Sequence, residues 1–194
     1  MKEMFRLTAH YQVHDLAKDQ ISKFLVEPVL EIAHSDGFRK DFDEKIVTPD
    51  FFINHTHRFI GFNSMILHTL TLKDTKLILK RLYLLKTPNI IILCHNARSL
   101  SNFFRNLLLV SGLCKHEKAC WVLPEDVMEL IAEKYKKTII GNCFIAPELI
   151  DLIPFVFLKK PLLQLNASME NKFQNTYIMT KLVARNFLVY ASIR

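Results

Sequence analysis

Between Thr87 and Leu158 the apolar positions follow two rhythms in turn, short unbroken runs and helical stripes. Thr87-Pro88-Asn89 opens the run Ile90 to Cys94, whose length and β-branched content predict a strand. Leu100, Phe103, Phe104, Leu107 and Leu108 then recur at the spacing of one helix face. Gly112 follows that stripe, where a residue without Cβ takes a left-handed cap most easily. Ala119 to Leu123 predicts the next strand. Pro124-Glu125-Asp126 suits a helix first turn, since proline needs no amide hydrogen there and carboxylates favour the positive dipole end. Val127, Leu130, Ile131 and Tyr135 carry that helix on, and Thr138 to Ile140 and Phe155 to Leu158 predict two further strands. The alternation implies right-handed crossovers and an α/β fold: a mainly parallel sheet with helices on both faces.

The flanks are read against that centre. Met1 to Asp19 has little patterning and reads as an extension. Ile21, Phe24, Leu25, Val29 and Ile32 have helical spacing, with Pro28 delimiting or kinking the helix. Ser35 to Lys45 is polar and reads as a loop, and Ser64 to Leu70 as a short strand. Thr71-Leu72-Lys73-Asp74 is a capping box with Asp in place of Glu, opening a helix to about Lys86 that should be largely buried. Pro161 to Lys172 reads as a connection and Phe173 to Ser192 as a last helix, with Lys181 and Arg185 on one face. This divides the chain into an N-terminal extension and helix over residues 1–50 and an α/β domain over residues 51–194.

Composition narrows the partners. Half of the 194 residues are hydrophobic, which excludes a disordered tail. The net charge of +7 points to an acidic partner, RNA or an anionic surface. Cys94, Cys114, Cys120 and Cys143 read as buried free thiols in a reducing compartment. Met1 to Val13 lacks the apolar core of a secretory signal, and charges and prolines break Ile139 to Leu158 as a membrane span. Fifteen phenylalanines against four glycines is the balance an AT-rich organelle gene would produce.

Several chemistries are tested and set aside. The turn Cys94 to Ser99 holds no glycine with which to cradle a phosphate, and there is no Walker lysine. Cys94, His95, Cys114, His116 and Cys120 offer metal-ligand types without repeated close spacing, so no metal and no cofactor is expected. Cys94 and His95, adjacent on a strand, point to opposite faces and make no nucleophile–base pair unless the strand ends between them. Glu125, Asp126 and Glu129 are explained by helix capping, and no catalytic residue is assigned. Nucleic-acid contact survives. His55, His57 and Arg58 sit among Phe51, Phe52 and Phe59, and Arg98 and Arg105 share a helix face. Lys115, Lys118, Lys136, Lys137, Lys159 and Lys160 fall at predicted element ends, within reach of phosphate oxygens.

Three segments in order resemble the universal small-subunit ribosomal protein two family in a shortened form. They are His55-Thr56-His57-Arg58, His68 to Thr75 and Ile90 to Leu93, followed by the strands at Ala119 to Leu123 and Thr138 to Ile140. Pro147-Glu148-Leu149-Ile150-Asp151 is similar to a signature of that family. The resemblance implies a Rossmann-like, flavodoxin-like three-layer fold without the usual helical-hairpin insertion. It further implies a structural constituent of the small ribosomal subunit, not an enzyme. Its partners would be small-subunit rRNA and neighbouring ribosomal proteins, with no membrane insertion and no small-molecule substrate. A ribosome-bound, organelle-encoded protein of the mitochondrial matrix is the location it suggests. Two rivals stand beside it: a Rossmann-like enzyme without a Gly-rich loop, marked by loss of turnover on changing His95 or Asp151, and a protein-interaction module.

Overall fold

Ser64–His68 and Asn89–Asn96 pair in parallel at the middle of a seven-stranded sheet. The computed structural model describes residues 20–34, 45–68, 70–112, 121–142, 144, 150 and 155–193. Its elements are β1 (Val29–Ala33), β2 (Lys45–Val47), α1 (Pro49–Asn54), a 3-10 turn (Thr56–Phe59), β3 (Ser64–His68), α2 (Leu72–Leu85) and β4 (Asn89–Asn96). Then follow α3 (Leu100–Val110), β5 (Trp121–Val122), α4 (Pro124–Leu130), β6 (Tyr135–Asn142), α5 (Val156–Phe173), α6 (Tyr177–Leu182) and β7 (Asn186–Ile193). The strand order is β2-β1-β3-β4-β7-β6, with β5 paired to β4 off that path. β7 runs antiparallel to both its neighbours, β4 and β6, and the other pairings are parallel. The α/β class with a mainly parallel, helix-flanked sheet is therefore as expected.

Strand alternation divides the side chains between two faces. Leu30, Ile32, Met65, Leu67, Ile90, Ile92 and Val189 face a core closed by Phe52 of α1, Ile78, Leu79 and Leu82 of α2, and Val127 of α4. Val29, Ile66, Ile91, Leu93, Ile140 and Leu188 line the other face, with Ile21 and Phe24 against them. Each such side chain contributes about 1.5–3 kcal/mol on burial, so the two clusters dominate stability. Thr71 caps α2 as its sequence predicts, its hydroxyl accepting from the Asp74 amide at 3.1 Å. Lys86 ends the helix in the left-handed region at φ 55°.

Several expected elements are different, each for a physical reason. Val29–Ala33, expected at the end of a helix, is a fully buried strand, and burial on both faces erases the alternation that marks strands. Asn186–Ile193, expected inside a final helix, is β7, paired along both edges for the same reason. Phe155 to Leu158, expected as a strand, and Pro161 to Lys172, expected as a connection, lie in or lead into α5, which carries Pro161 inside it. A four-residue apolar run does not distinguish strand from helix, and proline there misleads. α4 stops at Leu130, and Tyr135 already belongs to β6. α2 buries one stripe and leaves Leu72, Leu77 and Leu84 exposed. The Phe51–Arg58 segment, given no element above, falls in α1 and the 3-10 turn.

Candidate functional site

The strand order reverses beside β1: the chain passes to β2 on one side and to β3 on the other. At such a switch point the connections diverge, leaving a crevice outside the carboxyl ends of the strands. Ala33, His68 and Leu93 stand in one row across β1, β3 and β4 at that edge. Glu31, two residues earlier on the same face of β1, is 0% exposed. A carboxylate that deep needs a partner, and it accepts from His68 Nδ1 at 2.7 Å. His34, just past β1, has its Nε2 3.4 Å from Asp74 Oδ2. Asp74 also accepts from the Thr71 hydroxyl at 2.7 Å and stands in the first turn of α2, where the helix dipole favours its charge.

The edge continues over β4. His95 Nδ1 lies 2.7 Å from Asn186 Oδ1 on β7, and the His95 ring lies 5.2 Å from that of Trp121. Because β7 holds the other side of His95, β5 pairs with His95 and Asn96 in the lane of β3, just beyond its end. Asn96 points to the opposite face and is fully buried. Its Nδ2 lies 2.9, 3.0 and 3.0 Å from the carbonyls of Thr180, Lys181 and Ala184, fastening α6 to the end of β4. Its Oδ1 accepts from the Arg98 amide at 3.1 Å. Glu125 then joins the Arg98 guanidinium at 3.0 Å and the Lys181 ammonium. Burial alone would raise the Glu125 carboxyl, but the Lys181 hydrogen bond and both cations outweigh it and hold it below its ordinary value.

The basic residues expected to bind RNA do not gather here. Of those among the described residues Arg98 reaches this edge, and it is engaged by Glu125. His55 ends α1 with its ring stacked on Phe51 at 4.5 Å, while His57 and Arg58 are exposed on the 3-10 turn. Lys136 is exposed on β6, whereas Lys137 Nζ donates to the Met128 carbonyl at 2.9 Å. Lys159 and Lys160 lie within α5 and Arg105 within α3. Lys115, Lys118 and Asp151 lie outside the described residues. Among the described residues no three His, Cys, Asp or Glu side chains form a group that could hold a metal, and no helix is long and apolar enough to cross a membrane.

The residues that do gather, Glu31, His34, His68, Asp74, Trp121 and Asn186, were not singled out as a site from the sequence. His95 enters the sequence reading as a metal-ligand type, as the neighbour of Cys94, and with Asp151 as the mark of the enzyme alternative. One signal was present: Glu31 in the middle of Val29-Leu30-Glu31-Ile32-Ala33, a charge that a buried run holds only with a partner elsewhere.

No family model matches the chain, and no curated protein matches it. Among solved structures it is similar to a SAM-dependent methyltransferase, possible histamine N-methyltransferase, from Thermotoga maritima, at 13% identity and a TM-score of 0.54 over 100% of both chains. A SAM-dependent methyltransferase from Anabaena variabilis covers 94% of this chain and 83% of its own at 11% identity and a TM-score of 0.45. The magnesium protoporphyrin IX methyltransferase of Synechocystis covers 98% and 84% at 10% identity and the same TM-score, 0.45. The fold is thus the Rossmann-like methyltransferase fold, and the likeness to the ribosomal protein two family is overturned. With it fall the expectations of a non-enzymatic ribosomal constituent, of rRNA and ribosomal-protein partners, and of no small-molecule substrate. The segments behind that likeness, a capped helix after a strand and a second apolar strand, are what any parallel α/β sheet requires. Its most specific stretch, Pro147 to Asp151, lies outside the described residues except for Ile150.

Proposed function

We propose that the chain is a methyltransferase that takes S-adenosylmethionine at the crevice between β1 and β3 and a small molecule as methyl acceptor. The observation that carries this reading is the switch point itself, where the Glu31–His68 and His34–Asp74 pairs stand at the ends of otherwise apolar strands. The full-length likeness in fold to a protein described as a SAM-dependent methyltransferase supports it. The glycine-free turn Cys94 to Ser99 offers no backbone cradle for the phosphates of a dinucleotide. S-adenosylmethionine carries no phosphate. Its ammonium and ribose hydroxyls are donors, and they suit a crevice whose rim presents the Asp74 carboxylate and the His34 imidazole, with His68 deeper. When bound, the group supplies a methyl carbon made electrophilic by a positive sulfur.

The chain's own residues would hold and orient. Asp74, fixed by Thr71 at the start of α2, would accept from the ligand, and His34 would close over it. Glu31 would hold His68 in one orientation at the floor. Isothermal titration with S-adenosylhomocysteine tests this. The expected outcome is one site per chain with a Kd below about 1 mM, near −4 kcal/mol or better. No heat of binding at that concentration would overturn it.

A further inference from the structure

We propose that α3 is a membrane-surface helix, which lays its exposed apolar stripe into the interface of an anionic lipid bilayer. The inference stands whatever fills the crevice between β1 and β3.

An ordinary surface helix turns its apolar stripe to the core and its polar side to water. α3 is the reverse. Leu100, Phe103, Phe104, Leu107 and Val110 are all exposed, Phe103 at 57% and Val110 at 90%. The inward position is polar, since Asn102 is 8% exposed. Its Nδ2 donates to the Ala97 carbonyl at 2.9 Å, and its amide donates to the Ser99 hydroxyl at 3.0 Å. The Phe103 amide donates to the Ser99 carbonyl at 3.1 Å. These bonds fix the rotation of the first turn with Asn102 inside, which holds the apolar stripe outward.

Size and charge together select the occupant. With 11 residues, α3 is about 16 Å long at roughly 1.5 Å per residue. The outward half of a cylinder of that length, about 10–12 Å across, is roughly 250–300 Å². A stable protein interface takes about 800 Å² from each partner, so a second copy or another protein finds too little area on α3. A lipid surface sets no such threshold. Affinity there grows with the apolar area buried, and anionic headgroups add their attraction for basic residues. The charge has the matching sign. Residues 96–112 contain Arg98 and Arg105 and no Asp or Glu. Glu125, which meets Arg98, is shared with Lys181, leaving two cations against one carboxylate beside the start of α3. At 11 residues α3 is too short to span a bilayer and lies along its surface. Because α3 starts just past the end of β4, docking brings the carboxyl edge of the sheet toward the lipid.

The test is co-sedimentation of the full chain with phosphatidylcholine vesicles, prepared with and without phosphatidylglycerol. Wild type should pellet with the phosphatidylglycerol vesicles, binding them at least about fivefold more tightly than phosphatidylcholine alone, the effect of one basic residue at such a surface. F103S/L107S should bind at least about tenfold more weakly, with an unchanged urea midpoint. Phe103→Trp gives a second reading that decides the matter should the double variant fold poorly. Its added indole emission should move to shorter wavelength with phosphatidylglycerol vesicles, beyond any change in the Trp121 emission of wild type. Wild type left in the supernatant, an unmoved Phe103→Trp emission, or F103S/L107S pelleting as well as wild type overturns the proposal. Equal binding to both vesicle types overturns the anionic assignment. A lipid-free wild-type dimer that F103S/L107S converts to monomer gives the face to a second copy and overturns it as well.

Discussion

Glu31 sets the polarity of the site because its carboxylate lies fully buried in an otherwise apolar strand, 2.7 Å from His68 Nδ1. Asn96 plays the matching structural part on the other face, one amide spanning the carbonyls at the end of α6 and the amide of Arg98. Replacing it with alanine leaves those buried groups without their partner. Asn96→Ala is expected to cost about 2–3 kcal/mol, read as a lower urea midpoint with an unchanged slope. A loss under about 0.5 kcal/mol would contradict the fastening role. Glu125 carries a pH dependence. Its folded value lies below the ordinary 4.5, so the stabilisation it gives is present above that value and is lost as pH falls through the lowered one. Thermal melts should therefore show wild type losing its advantage over Glu125→Gln as pH falls below 4.5. A gap that stays constant over that window would refute the pairing.

At the level of elements, legibility followed solvent exposure. α2 was readable because Thr71 and Asp74 form a local cap that needs no tertiary context. β4 was readable from its β-branched run after Pro88. β1 and β7 were not, because both are buried on two faces and show no period by which to know them. The site suffered the same blindness, since Glu31 and Asn186 lie in those two strands. α3 is the opposite case. Its stripe of Leu100, Phe103, Phe104 and Leu107 was legible as a helix face, yet it is exposed. The double change Phe103→Ser with Leu107→Ser is accordingly expected to alter stability by less than about 0.5 kcal/mol, while Leu79→Ala in α2 should cost about 2–5 kcal/mol. Urea denaturation of both variants checks this. A large loss from the α3 pair would mean that its stripe belongs to the core.

Across the whole molecule, function follows from the direction of the strands more than from net charge. The charge of +7 suggested an acidic partner, but the described basic residues chosen on that ground are spread over the end of α1, the 3-10 turn, the turn before α3, α3, α5 and β6. The parallel strands instead deliver Glu31, His68, His95 and Asn96 toward one edge, and antiparallel β7 returns Asn186 to it. The opposite edge is closed by structural hydrogen bonds, such as the Tyr135 hydroxyl donating to the Thr87 carbonyl at 2.9 Å. The most direct test of the account is an amide chemical-shift map of the full chain titrated with S-adenosylhomocysteine. Perturbations centred on Ala33, His34, His68 and Leu70 are expected. Perturbations centred on Tyr83 and Tyr135, or none at all at about 1 mM ligand, would contradict it.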